Sequence, residues 1–151
     1  MSSVRIVLGS TSRYRAELLR RLLPAFEQRA PGTDEAALPG EAPADRALRL
    51  AQTKAAAAAT GLTDALVIGS DQVAELGGTV LDKPGSAERA RAQLAASAGR
   101  EVIFHTGLCL LDTRDGRSLT HLDQTRVRFR KLNADEIARY VDREQPLDCA
   151  G

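Results

Sequence analysis

Several residue types are scarce in this 151-residue chain, and each scarcity narrows the classes of protein to which it can belong. Tryptophan is absent and aromatic residues make up 3%, so the core must be built from Leu, Val, Ile and Ala. The net charge of +1 gives no general electrostatic attraction to nucleic acid, and we predict no nucleic-acid partner. No apolar run approaches the length of a membrane span, so we predict no membrane association.

Cysteine and the common nucleotide-binding motifs are also scarce or missing. Cys109 lies in an apolar run and Cys149 lies near the end of the chain. Two cysteines that look unpaired, without a signal peptide, indicate a reducing cytosol, and we predict a cytoplasmic protein. The sequence contains neither G-x-x-x-x-G-K-[ST] nor G-x-G-x-x-G, so it lacks the signatures of P-loop ATPases and dinucleotide-binding proteins.

The turn that joins the first strand to the first helix is the most informative segment. We predict a strand over 4–8 and a helix over 13–23, with Ser12 as its N-cap. Free backbone N–H groups and the helix dipole favour phosphate at such a helix N-terminus, and Arg13 and Arg15 can add donors. An ordinary capped helix with solvated arginines explains the same residues equally well.

The remaining chain alternates helix and strand patterns without a repeat or a linker. Gly77-Gly78 predicts a hairpin turn between two short strands. The pattern predicts one α/β domain over 1–151, with a mixed, partly parallel sheet flanked by helices and a ligand cleft at the strand ends. The predicted helices cover 44–60, 86–98 and 133–143, and Ser86 and Asn133 are the predicted N-caps of the last two. The predicted strands cover 66–70, 73–76, 79–81, 101–111 and 121–130, and 25–43 is a loop.

Individual polar residues, taken alone, allow both structural and functional interpretations. Asp71 follows a buried strand and could bind a metal, act as a general base or cap a turn, the last being the commonest case. Glu35, in an acidic pair, is a solvated side chain by default, but with Asp71 it could supply oxygen ligands for a hard cation. Lys54, on an Ala-rich helix, is expected to be solvated. His105 is expected to be packed, and Gly107 marks a bulge or a close backbone approach.

Seven short segments occur in a characteristic order along the whole chain. They are LGSTSRYRAELL at 8–19, TDE at 33–35, RLAQTKA at 49–55, VIGSDQV at 67–73, DKP at 82–84, FHTGL at 104–108 and YVDREQPLDCAG at 140–151. Together they make the chain resemble the Maf family of nucleoside triphosphate pyrophosphatases. In GSDQV, Gln stands where the dTTP/UTP branch of the family reads Thr, and this variant resembles the branch that acts on 7-methyl-GTP.

The resemblance implies a Maf/ITPase-like fold, a nucleoside triphosphate substrate and a divalent metal cation, Mg²⁺ or Mn²⁺. The implied reaction is hydrolysis between the α and β phosphates, which yields a monophosphate and pyrophosphate. Asp71 would be the catalytic base or would hold the metal, and Glu35 would help to hold it. Tyr14 and Gln72 would determine base specificity, since a tyrosine face favours a cationic methylated purine. The residues implied to bind the triphosphate are Ser10, Arg15, Lys54 and Lys83.

Two departures from the family pattern accompany this resemblance. Arg13 stands where relatives have Pro, and the family continues past CAG into a further strand and helix, so we expect a domain truncated at its C-terminus. Two other functions stay open: a dTTP/UTP pyrophosphatase of the same family, and a non-catalytic nucleotide-binding regulator of cell division. A homodimer also stays open.

Overall fold

The computed structural model describes residues 3–148, which contain six strands and four helices. The elements in chain order are β1 (Arg5–Leu8), α1 (Arg13–Arg20), β2 (Glu27–Gln28), α2 (Pro43–Ala58), β3 (Ala65–Leu76), β4 (Thr79–Leu81), α3 (Ala87–Ser97), β5 (Glu101–Asp112), β6 (Ser118–Arg128) and α4 (Ala134–Glu144).

The strands form a mixed sheet in the order β2-β1-β3-β5-β6, with β4 beside β3. β1 pairs in parallel with β2 and β3, so that Val7 lies opposite Glu27 and Val67. β4 pairs antiparallel with β3 through the predicted turn at Gly77-Gly78, where both glycines have positive φ, as a tight hairpin turn requires. The predicted α/β fold with a partly parallel sheet is confirmed.

Contacts between residues divide the chain into two compact units. The first contains the residues up to Asp71 and Thr106–Leu122, and the second contains Gln72–His105 and the residues from Asp123 onward. The first unit has a core of small and β-branched side chains centred on Val7 and Val67. Two clusters in the second unit are centred on Val102 and Val141. The single domain over 1–151 stays a prediction.

In the first unit, α2 packs on the sheet at backbone contact distance because glycines lie beneath it. A Cβ atom on Gly69 would lie 2.1 Å from the carbonyl oxygen of Ala51, and one on Gly107 would lie 2.3 Å from that of Ala47. The close approach predicted at Gly107 is therefore confirmed. The helix meets these glycines with alanines, and this packing fixes the side chains of α2 next to β3.

Helix caps agree with the sequence, whereas the end of α1, the end of β3 and one missed strand do not. Ser12, Ser86 and Asn133 cap α1, α3 and α4 as predicted. α1 ends at Arg20 instead of 23, and the predicted loop over 25–43 contains the short strand β2, whose two exposed residues show no alternation. β3 continues through to Leu76, so the prediction that a strand ends at residues 70–72 was wrong.

Candidate active site

A lysine held between two carboxylates forms the centre of the polar cluster in the first unit. Lys54 Nζ lies 2.9 Å from Asp71 Oδ1 and 2.7 Å from Glu35 Oε1. Lys54 is 5% exposed and Asp71 is 7% exposed, whereas the Glu35 side chain is 52% exposed. A buried ammonium requires charge compensation, which the two carboxylates supply. Lys54 is thus a buried ion-pair partner, and the expectation of a solvated lysine was wrong.

Strand alternation and the glycine contact explain why Asp71 meets Lys54. Side chains two residues apart in a strand point to the same face, so Asp71 shares a face with Val67 and Gly69. Gly69 lies under α2, and Lys54 lies on the buried side of that helix beside Ala51. Asp71 therefore lies within β3 and not after it, and the strand tolerates this buried carboxylate because Lys54 compensates it.

The predicted anion-binding turn of the first unit converges on the hydroxyl of Ser10. This buried Oγ accepts hydrogen bonds from the Ser12 amide at 3.0 Å and from Arg15 Nη1 at 3.3 Å. A hydroxyl has two acceptor positions and one donor, so Ser10 can present its proton to an incoming oxygen. Ser12 Oγ accepts from the Arg15 amide at 3.3 Å and caps α1. The turn thus combines an oriented hydroxyl, a guanidinium and a helix N-terminus.

Two arginines of α2, missed in the sequence, hold the acidic loop that carries Glu35. Arg46 Nη2 donates to the backbone oxygen of Glu35 at 2.9 Å, and Arg49 Nη2 donates to that of Ala36 at 3.0 Å. Arg49 also binds Glu41 through two hydrogen bonds of 2.6 and 2.9 Å, and this contact lowers the pKa of Glu41. The i, i+3 spacing of the two arginines was the available signal, but the general excess of arginine concealed it.

Tyr14 lies on α1, and 46% of the residue is exposed. The guanidinium of Arg13 lies 5.1 Å from the centre of this ring, and Arg13 Nη2 donates to the tyrosine hydroxyl at 3.3 Å. The ring therefore already takes part in a cation–π contact on one face. This arrangement is compatible with the stacking of a second flat group on the ring, which stays a prediction.

The second unit contains the other two predicted site residues, both exposed. Gln72 follows Asp71 in β3, and Lys83 follows β4 immediately before the buried Pro84. Their predicted contacts with the base and the phosphates remain predictions. His105, also in this unit, is packed as expected: Nε2 lies 2.5 Å from Glu75 Oε2, and Nδ1 lies 3.0 Å from Gln124 Nε2.

The donor set of the first unit fits a hard divalent cation that also binds phosphate oxygens. Magnesium is usually held by one or two carboxylates together with substrate phosphates and water. Asp71 and Glu35 supply such carboxylates, because both reach the same ammonium and their oxygens are therefore close together. Within residues 3–148, no group of three or more His, Cys, Asp or Glu side chains could hold a metal ion. A metal bound by these two carboxylates would therefore need substrate phosphates or water as further ligands.

An apolar cavity of about 280 Å³ in the first unit contains none of the candidate residues. Ile68, Leu108 and Leu119 contribute to its lining, which offers almost no polar group to a nucleotide. The cation–carboxylate cluster is therefore the stronger candidate for the functional site. In addition, none of the helices that the structure describes is long and apolar enough to cross a membrane.

The fold and the cluster together define an α/β protein with a buried cation–carboxylate centre. A family model described as "Maf-like protein" matches residues 5–151, and the chain belongs to the Maf family. It is 51% identical over 147 residues to a 7-methyl-GTP pyrophosphatase of Aromatoleum aromaticum, and the alignment covers 97% of this chain and 76% of that protein. A 7-methyl-GTP pyrophosphatase of Thiobacillus denitrificans is 53% identical over 150 residues, and that alignment covers 99% of this chain and 75% of that protein.

Among solved structures, the Ham1 protein of Staphylococcus aureus has a similar fold. The TM-score is 0.53 at 17% identity, and the match covers 81% of this chain and 70% of that chain. At this level of identity, the similarity supports the fold alone. The family resemblance of the sequence is confirmed by the family model and by the relatives.

Proposed function

We propose that this chain is a nucleotide pyrophosphatase that hydrolyses 7-methyl-GTP to 7-methyl-GMP and pyrophosphate. The single observation that carries the proposal is the buried Lys54, held between Asp71 and Glu35. Cations that neutralise phosphate, beside a carboxylate that can accept a proton, are what this hydrolysis requires. The substrate is supported by relatives at 50–53% identity that are named 7-methyl-GTP pyrophosphatase.

In the proposed mechanism, the first unit binds the phosphate chain through three side chains. Arg15 and Lys54 contribute positive charge, and Ser10 donates its hydroxyl proton to a phosphate oxygen. Because Ser10 and Arg15 are already held by hydrogen bonds within the turn, these two groups need little reorganisation as charge builds up while the bond breaks. Lys83 of the second unit is a further predicted phosphate ligand.

Asp71 has the role of base in this mechanism. In this structure its Oδ1 accepts from Lys54. In the proposed reaction its Oδ2 takes the proton of the attacking water. The water oxygen bonds to the α-phosphorus, the bond between that phosphorus and the bridging oxygen breaks, and pyrophosphate leaves with the electron pair. A metal held by Asp71 and Glu35 would neutralise phosphate charge and lower the pKa of a bound water.

Tyr14 and Gln72 are the residues proposed to recognise the base. A methylated guanine carries a positive charge, which the face of a tyrosine ring stabilises by roughly 1 kcal/mol. Tyr14 has the exposure that such stacking needs. The amide of Gln72 can offer both a donor and an acceptor to a purine edge.

Pyrophosphate release from 7-methyl-GTP, GTP, dTTP and UTP, measured with Mg²⁺ and with Mn²⁺, tests the proposal. We expect the highest kcat/KM for 7-methyl-GTP. A preference for dTTP or UTP would assign the chain to the other branch of the family. Tight nucleotide binding without pyrophosphate release would favour the non-catalytic regulator instead.

A further inference from the structure

Lys54 has two incompatible tasks in the site as described. In this structure its ammonium binds both Asp71 and Glu35, at 2.9 and 2.7 Å. The proposed reaction needs the same ammonium on a phosphate, and it needs the same carboxylate oxygens for a divalent cation. A divalent cation on the two oxygens that bind the ammonium, Asp71 Oδ1 and Glu35 Oε1, would meet it at contact distance with strong repulsion. Loading these oxygens with a metal therefore requires the Lys54 ammonium to leave them.

The burial of the three groups indicates why the lysine occupies the carboxylates. Asp71 is 7% exposed, and a buried carboxylate without a partner would be strongly destabilising. Lys54 compensates Asp71 from the rigidly packed α2, whose neighbouring Ala51 and Ala55 are fully buried. Glu35 is held from the backbone side by Arg46, in a loop whose glutamate side chain is half exposed. The exposed partner can thus move, whereas the buried pair cannot separate without a replacement cation.

We infer that Lys54 is an internal substitute for the divalent cation. Its ammonium holds Asp71 and Glu35 in the ligand-free protein, and metal binding releases it toward the phosphates. This inference rests on the proposed function, because it assigns the same carboxylates to the metal. Metal binding and phosphate binding are then coupled: the metal alone must compete with the lysine, whereas phosphate supplies the displaced ammonium with a new partner.

The competition between Lys54 and the metal can be measured with Mn²⁺ alone, in the absence of nucleotide. The first arm compares the wild type with Lys54→Met, which keeps most of the side-chain stem and removes the charge. We expect the variant to bind Mn²⁺ at least tenfold more tightly, measured from the electron paramagnetic resonance signal of free Mn²⁺. Lys131→Met removes an exposed lysine of the second unit and should leave the affinity within twofold of wild type. An equal or weaker affinity of Lys54→Met would overturn the inference.

The second arm uses the wild type and does not depend on the folding of a variant. The chain has only three lysines, Lys54, Lys83 and Lys131, so acetylation by acetic anhydride can be quantified at each by mass spectrometry. Without metal, we expect Lys54 to react more slowly than Lys131. At Mn²⁺ concentrations up to saturation, Lys54 should react at least fivefold faster while Lys131 stays unchanged. An unchanged or slower reaction of Lys54 across the titration would overturn the inference.

The two arms separate this inference from the proposed function, since neither contains a nucleotide. Competition between Lys54 and Mn²⁺ without any nucleotide hydrolysis would reject the proposed function alone. Hydrolysis of 7-methyl-GTP by the wild type, together with equal Mn²⁺ affinities of the wild type and Lys54→Met, would reject the inference alone.

Discussion

Gly69→Ala is the substitution that tests most severely how the fold positions the site. The added methyl group would lie 2.1 Å from the Ala51 carbonyl oxygen and 2.6 Å from the Ala55 amide nitrogen. Ordinary contacts begin near 3.4 Å, so α2 would have to retreat by about 1.3 Å. Overpacking costs typically about 1–3 kcal/mol, and we expect about 3 kcal/mol because the neighbours are backbone atoms. A displacement of roughly 1 Å at Lys54 should also lower kcat/KM on the order of 10²-fold.

Urea denaturation and steady-state kinetics with 7-methyl-GTP measure the two effects of Gly69→Ala. Ala56→Leu is the matched control, because it adds more volume to the exposed side of the same helix and should change stability by less than about 0.5 kcal/mol. A Gly69→Ala protein with wild-type stability would refute the backbone contact between α2 and β3. Lost stability with unchanged kcat/KM would refute the link between this contact and the site.

Three further predictions concern phosphate, base and pH. Lys83→Ala should reduce kcat/KM roughly 10–100-fold for every nucleotide and leave stability within about 0.5 kcal/mol, whereas unaltered kinetics would remove Lys83 from phosphate binding. Tyr14→Ala should reduce kcat/KM about fivefold more for 7-methyl-GTP than for UTP, and an equal loss on both would contradict base stacking. Hydrogen bonds from Arg114 lower the pKa of Asp112 from 3.8 to about 2. The ionised Asp112 side chain therefore stabilises the fold fully above pH 3.8, and this stabilisation is lost as the pH falls through about 2. The stability difference between wild type and Asp112→Asn should therefore shrink over that interval, and a pH-independent difference would contradict this assignment.

The sequence predicted those elements whose signals are local. Caps such as Ser12 and Asn133 bond to amides three residues away, and the Gly77-Gly78 turn needs only its own backbone geometry. These interactions do not depend on the rest of the fold. For the same reason the helices and the hairpin were predicted within a few residues of their observed bounds.

The sequence did not predict the interactions that depend on tertiary packing. β2 is two residues long and exists because β1 offers it a parallel partner. Lys54 was expected in solvent because its helix position could not reveal that Asp71 compensates it from a different element. The roles of the site residues came from the family resemblance, since a lone carboxylate or lysine has several commoner explanations.

Pyrophosphate release from 7-methyl-GTP by the wild type and by Asp71→Asn tests the central claim most directly. The asparagine keeps the shape of the side chain but removes the proton acceptor and the negative charge beside Lys54. We expect kcat to fall roughly 10²-fold or more, the scale of lost general-base catalysis, while circular dichroism shows a folded protein. Near-normal turnover by a folded Asp71→Asn protein would contradict the claim that this cluster is the catalytic centre.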